Sequence, residues 1–370
     1  YAYASTQPDY GMFLMDGNPK AGQSLDEVRD LLLAEAAKIR AGEFDEGLIK
    51  ASINNYKMQL MNEFDKYDQR AMFYVYSFIY GKEWADDIRQ LERMEKITKQ
   101  DVVDWANKYL GPESYAIIYK REGKDPDEQK IAAPKITPIV TNRDSQSEFL
   151  SEIQTSQVQP IEPVFVDYKK DMSQFEAQPG IDVLYKKNET NDIFTLIYVF
   201  NTGTENDPAL NLAFNYLSYL GTDKMTAEEI ASEMYDIACS FYMNAGANQS
   251  SIQITGLSEN MGKAMEIVEG LIAGAKPDEA ILENCKADML KSRADAKLNQ
   301  SRCFGALQRY LFYGGDFIRR TTLTDPALQA LTSEQLLAKI GDLTGKQHEV
   351  LYYGPQKEAE VKSALAKQSR

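Results

Sequence analysis

Histidine is nearly absent: His348 is the only one in 370 residues. One imidazole cannot make a two-histidine zinc site, so such a site cannot be assembled from this chain alone. Cysteine is scarce as well. Cys239, Cys285 and Cys303 are odd in number and irregularly spaced, which fits neither a disulfide framework nor a Cys-x-x-Cys metal site, and they read as buried small hydrophobes. No apolar run approaches the roughly 20 residues needed to span a bilayer, so no membrane span is expected, and the N-terminus lacks the charged, apolar and small-residue regions of a signal peptide. Basic residues are in deficit: 41 Lys and Arg face 56 Asp and Glu, a formal charge of -15. That balance repels a phosphate backbone and argues against nucleic acid as a partner. An acidic surface attracts basic peptides, but a solvated surface that keeps the protein soluble is the plainer reading.

What is present is core material. The chain is 43% hydrophobic, with 22 Tyr and 15 Phe, far from the composition of a disordered chain. Its length implies two domains at roughly 100 to 200 residues each. It begins Tyr1-Ala2-Tyr3-Ala4 without Met, and the expectation is that further sequence precedes it.

An internal repeat organises the chain. One copy opens at Phe44-Asp45-Glu46-Gly47-Leu48-Ile49 and reaches Phe78-Ile79-Tyr80-Gly81; the other opens at Pro277-Asp278-Glu279-Ala280-Ile281-Leu282 and reaches Leu311-Phe312-Tyr313-Gly314. Asp45 to Asp278 and Gly81 to Gly314 share an offset of 233. The match resumes one residue out of phase, Ile97-Thr98 against Leu331-Thr332, where Thr98 with Asp101 and Thr332 with Gln335 have capping-box spacing. Each copy closes on a β-rich run, Tyr115 to Tyr119 and Glu349 to Tyr353, so each is expected to read helix, helix, helix, strand.

Between the copies, residues 121–180 hold six of the 13 prolines and a charged opening, Arg121 to Glu128, and read as a linker. Within it, Ser147 to Ile153 has a helical pattern and Val164-Phe165-Val166 a strand-like one. The expected division is a C-terminal portion of one α+β domain at 1–120, the linker at 121–180, and a second α+β domain at 181–370. In the second, a β run at Asp192 to Phe200, helices at about 209–220, after Thr226, and at about 260–273, and a strand at Ser251 to Thr255 mix without regular βαβ alternation. An α+β fold with helices on one face of a largely antiparallel sheet is expected. The first copy has only Gly11 to Met15 and Asp26 to Arg40 ahead of its repeat, so its upstream half is missing from this chain.

The stretch Leu212-Ala213-Phe214-Asn215-Tyr216-Leu217-Ser218-Tyr219-Leu220-Gly221-Thr222 resembles the signature helix of the insulinase/pitrilysin zinc metallopeptidases, in which His-x-x-Glu-His is followed closely by an aromatic residue and Gly-Thr. The resemblance runs through nearly the whole chain, including the Tyr-Gly helix ends and the closing strands. It implies repeated α+β domains paired by a linker into a clamshell around peptide substrates, with zinc held by the two His and a downstream Glu while the motif Glu activates water. Carried onto this chain, the first His falls on Leu212, the Glu on Asn215 and the second His on Tyr216. None can do that job: Leu212 has no lone pair, Asn215 takes no proton and Tyr216 is a poor zinc ligand. No catalytic or metal-binding residue is therefore assigned here, and no cofactor; the resemblance implies that zinc is to be expected in an upstream catalytic domain of the parent protein.

Other candidates have structural readings. His348 reads as an exposed turn residue, Glu228-Glu229 and Asp86-Asp87 as solvated helix surface, and Gly221-Thr222 as a helix-ending turn. The family's Arg and Tyr that stabilise the tetrahedral intermediate find no match, because Arg309-Tyr310 lies in the wrong element and reads as a surface Arg beside a core Tyr. The expected role is a non-catalytic chamber wall and hinge of a zinc endopeptidase, whose partners are peptide or small protein substrates and the upstream catalytic domain. The alternatives are a scaffold or partner subunit of the same fold, or a peptide-binding module offering an exposed edge strand.

Overall fold

Helix starts in this chain are written in side-chain caps. The computed structural model describes residues 1–370 apart from 8, 21, 114, 124–131, 140 and 368–370. Strands β1 (Ala2–Thr6) and β2 (Gly11–Met15) form an antiparallel pair, with Ala2 opposite Met15. Helix α1 (Leu25–Ala41) starts from a Ser24–Glu27 capping box and stops at Gly42. It is followed by α2 (Gly47–Phe64), α3 (Tyr67–Ile79), the single turns α4 (Trp84–Ile88) and α5 (Gln90–Met94), and α6 (Lys99–Tyr109). Thr98 and Asp101 make the capping box that their spacing predicts at the start of α6.

The helix expected from Ser147 forms as α7 (Glu148–Thr155), capped by Ser147, and a short α8 (Tyr168–Asp171) follows. Val164 to Val166 is not a strand. It lies exposed, with no neighbouring strand to take its backbone hydrogen bonds. Strand β3 (Ser173–Gln178) forms inside the stretch read as linker and turns into β4 (Ile181–Lys187).

From there run β5 (Ile193–Phe200), α9 (Leu210–Leu217), α10 (Ala227–Asp236), β6 (Cys239–Ala245), β7 (Ser250–Leu257), α11 (Met261–Gly274), α12 (Glu279–Lys297), α13 (Gln300–Thr321), α14 (Asp325–Ala330), α15 (Ser333–Thr344), β8 (Glu349–Gly354) and α16 (Glu358–Ala366). Six strands make one sheet in the order β3-β4-β8-β5-β7-β6, antiparallel except where β8 lies parallel to β4. The class is α+β. Alternate strand residues face the helices, and Val183, Leu196, Ile252, Ile254, Val350 and Tyr352 are buried there with Leu212, Leu217, Val268 and Leu336.

The repeat is visible in the helices. Lys66 precedes α3 and Asn299 precedes α13, and the second capping box, Thr332 with Gln335, opens α15 as Thr98 opens α6. Gly81 ends the α3 helix at φ +61 and Gly314 breaks α13 at φ +78, each with open space where a Cβ would stand. Both glycines therefore supply a left-handed turn rather than a tight fit. The closing strands differ. Glu349 to Tyr353 becomes the inner strand β8, whereas Tyr115 to Tyr119 forms no strand. Tyr119 instead bonds α1: its hydroxyl donates to Asp26 Oδ1 at 2.7 Å and accepts from Arg29 at 3.1 Å. A β-rich run becomes a strand only beside another strand, and β1 and β2 pair with each other.

Candidate functional site

Helix α9 is short and apolar, and it packs against α12, α15 and β6. Leu212 and Tyr216 lie four residues apart on its inner face, and both are 0% exposed. Asn215 points outward, its carbonyl accepting from Ser218 Oγ at 2.7 Å. The three motif positions thus do not converge on a shared cavity. Tyr216 is wholly enclosed, and its phenol is satisfied inside. The Asp278 N–H donates to it at 2.7 Å, and its own hydrogen is shared between Ser333 Oγ at 2.9 Å and the Asp278 carbonyl at 3.1 Å. One hydroxyl thereby ties the first residues of α12 and α15 together. Glu279 joins them by accepting from the Ser333 N–H at 3.0 Å, a bond that holds its carboxyl below the usual range.

Gly221 has no room for a side chain, since a Cβ would meet the Met225 carbonyl oxygen at 2.7 Å. Thr222 caps the same turn, its Oγ1 accepting from the Lys224 and Met225 N–H groups. Of the acidic pairs, Glu229 closes the Thr226 capping box and Asp87 accepts from Ser77 Oγ at 2.7 Å. Both thus have local structural partners, where sequence alone reads plain solvated surface.

Three readings need correction. His348 is half-buried, not an exposed turn: its ring lies 5.0 Å from Phe200 and 5.9 Å from Tyr198, and Nδ1 is 2.9 Å from the Lys346 carbonyl. The approach to β8 runs across that aromatic pair, so the ring has apolar neighbours. Tyr310 is 55% exposed rather than core, because α13 buries none of its residues. Cys239 and Cys285 are buried, and burial pushes the Cys239 thiol up to about 12, but Cys303 on α13 is exposed. Among the described residues no group of three or more His, Cys, Asp or Glu is placed to hold a metal ion, and no helix is long and apolar enough to cross a membrane.

Sequence reasoning assigned no substrate-facing residues, but the sheet register defines a surface. Opposite the helices, cross-strand partners form three rows: Leu184, Leu351, Ile197, Gln253 and Tyr242 in the middle, Lys186, Tyr353, Thr195, Thr255 and Ser240 on one side, and Asp182, Glu349, Val199, Ser251 and Asn244 on the other. Charge is confined to the β4 and β8 end; from β5 to β6 the rows are neutral. At that neutral end a depression of about 440 Å³ opens between Ile197, Val199, Asn244, Gln249 and Ser251. The alternation along β5 and β7 is the signal that finds this face. In β6 the outward Tyr242 hides it, being apolar on a hydropathy scale yet exposed.

Helices of the first copy meet the region after β4 through polar contacts. Helix α2 lies against α10, with Ser52 Oγ 3.2 Å from Tyr235 Oη and Asn55 Nδ2 donating to the Tyr235 carbonyl at 2.7 Å. Asn191, between β4 and β5, donates to Asp65 Oδ2 at 2.6 Å.

No family model matches the sequence, and no curated protein does. Among solved structures, the chain is similar to a peptidase M16 inactive domain from Pseudomonas fluorescens, at 16% identity and a TM-score of 0.47, over 53% of this chain and 49% of that one. It is similar to the periplasmic protease PqqL from Escherichia coli, at 12% identity and a TM-score of 0.48, over 91% of this chain and 40% of that one. It is also similar to a protease from Helicobacter pylori, at 11% identity and a TM-score of 0.44, over 53% of this chain and 49% of that one. The matched part is less than half of each of these chains.

Proposed function

We propose that the chain is a non-catalytic portion of an insulinase/pitrilysin-type zinc endopeptidase, acting as chamber wall and hinge, with the catalytic zinc domain elsewhere in the same longer protein. The carrying observation is the division of labour across the six-stranded sheet. The helix side, where the zinc motif would lie, is closed into core by Leu212 and Tyr216, while the other side is an open, largely uncharged surface. An open neutral sheet face accepts peptides of varied charge, as a chamber wall must. The domain division belongs to the same proposal: 1–120, a linker from 121, and a second unit that by its pairing begins at β3 rather than at 181. The polar bonds between α2 and α10 suit a hinge, because polar interfaces between domains permit motion more readily than large apolar ones.

The test is made on the parent protein. Its sequence upstream of Tyr1 is expected to hold His-x-x-Glu-His, and its peptide hydrolysis to be abolished by chelation and restored by zinc. Ile197→Lys, on the open face, is expected to lower kcat/KM for a cationic peptide several-fold without altering zinc content. A parent lacking the motif and zinc would replace this reading with a scaffold or partner subunit.

A second reading, a peptide-binding module, is favoured by the edge strand β6, Cys239–Ala245, which carries no proline and no charged residue to block strand addition. Measurable affinity of the isolated chain for extended peptides, lost in Tyr242→Pro, is its test.

A further inference from the structure

One strand of the second copy has no counterpart in the first. The hairpin β1–β2 leads into the helices α1 and α2 as the hairpin β6–β7 leads into α11 and α12. The apolar run Tyr115 to Tyr119 follows α6 as β8 follows α15. In the second copy the hairpin and the closing strand are not paired with each other: β5 lies between them, antiparallel to both. Thr195, for example, stands opposite Thr255 on one side and Tyr353 on the other. Among the described residues of 1–120, no strand takes the place of β5.

The two flanks of that place are nevertheless built. Phe13 of β2 meets Trp105 of α6 edge-on, with ring centroids 5.4 Å apart, and the Tyr119 hydroxyl reaches Asp26 of α1 at 2.7 Å. Helices α1 and α6 pack together, so β2 and the closing run rest on one helical layer. Both flanks are apolar, Gly-Met-Phe-Leu-Met and Tyr-Ala-Ile-Ile-Tyr, yet neither is covered. Ile118 is 92% exposed and Met12 51%, whereas β8 holds Val350 and Tyr352 at 0% and 2%. The backbone of 115–119 makes no hydrogen bond among the described residues. Apolar, extended chain with free ladder groups is what strand addition uses.

We infer that one further β-strand of the same parent protein, drawn from sequence preceding β1, pairs between β2 and Tyr115–Tyr119, antiparallel to both. The order of the second copy names the source, since β5 precedes β6 along the chain. The donor carries apolar side chains at alternate positions, as β5 does where Phe194 and Leu196 are buried against the helices. Pairing converts the exposed run into a strand and gives α1 and α6 a sheet to cover. The inference rests on the reading that the chain is part of a longer protein, but it does not require zinc.

Hydrogen exchange on the chain 1–370 and on the parent protein tests it. Amides of 115–119 are expected to exchange freely in the chain and at least about a hundredfold more slowly in the parent. Neighbouring strand N–H groups point to opposite sides, so Ile117→Pro/Ile118→Pro removes a donor on whichever side the new strand lies. This variant should leave the melting midpoint of the chain unchanged and abolish the protection in the parent, while β5 amides report an intact second sheet. A photoreactive side chain at position 118 of the parent should cross-link to sequence preceding β1. Free exchange of 115–119 in the parent overturns the inference, as does a cross-link formed only with another molecule. Protection that survives both prolines also overturns it, because the cover would then come without strand pairing. A parent that has no zinc site but shows the protection and the cross-link supports this inference and removes the endopeptidase reading alone.

Discussion

The two copies of the repeat use the same helix signals, yet only one copy is built into a large core. Among the described residues of 1–120 the buried apolar ones are Val28, Ala36, Ala51 and Ala106, three of them alanines. In the second copy and the strands around it, aromatic and branched residues from β4, β5, β7 and β8 are buried against α9, α11, α12 and α15. Caps and glycines decide where a helix begins and ends, and a sheet decides how much it buries. The first copy has the former without the latter.

Leucine truncation should expose this difference most strongly. Leu212→Ala, at a position 0% exposed, is expected to cost roughly 2 to 5 kcal/mol in urea unfolding, whereas Leu31→Ala on α1, where the side chain is 57% exposed, should fall within about 0.5 kcal/mol. Comparable losses at both sites would mean that the first copy has a core of its own. Tyr216→Phe comes next: it keeps the ring but leaves the Asp278 N–H and the Ser333 hydroxyl without their buried partner, for about 1 to 3 kcal/mol by thermal melt.

A smaller effect should be equal in the two copies. Gly81→Ala and Gly314→Ala each place a Cβ in left-handed backbone with nothing nearby to clash, so each is expected to cost about 1 to 2 kcal/mol from conformation alone. A much larger loss at Gly314 would reveal packing that the open surroundings do not contain.

The smallest contrast is set by pH. The Thr98 hydroxyl and then its backbone N–H hold the Asp101 carboxyl below its ordinary value, while the matching residue in the second copy, Gln335, does not titrate. A depressed carboxylate contributes stability above its unfolded pKa, and that contribution is lost as pH falls through the folded one. Acidification below about pH 4 should therefore fray the start of α6 and spare that of α15, as amide exchange of the two first turns would show. Equal fraying would shift the cause from the cap to the whole molecule.

Much of this was legible beforehand because it is local. Thr98 with Asp101, Thr332 with Gln335, and Gly81 with Gly314 carry their instructions within a few residues. At α9 the residue types alone showed that Leu212, Asn215 and Tyr216 cannot hold zinc, but the full enclosure of Tyr216 rests on Asp278 and Ser333, which are remote in sequence. What escaped was pairing. Tyr115 to Tyr119 has strand composition and no partner, while β3 and β6 are strands with weak patterns that gain their hydrogen bonds from β4 and β7. The ring contacts of His348 and the exposure of Tyr310 likewise depend on neighbours that are remote in sequence or absent.

The position of β8 has a consequence for how the protein is made. It lies between β4 and β5, joining the β3–β4 hairpin to the β5–β7–β6 group, and among these six strands it comes last in chain order. Until Glu349–Gly354 leaves the ribosome the sheet exists as two separate pieces, each with an unsatisfied inner edge, and the long stretch from β5 to α15 must wait. Such distant pairing slows folding and leaves strand edges open to wrong partners. The six-stranded sheet is therefore most vulnerable to misassembly in the interval between the synthesis of β5 and that of β8, and a ribosome stalled just before β8 would carry two sticky half-sheets in place of one finished one.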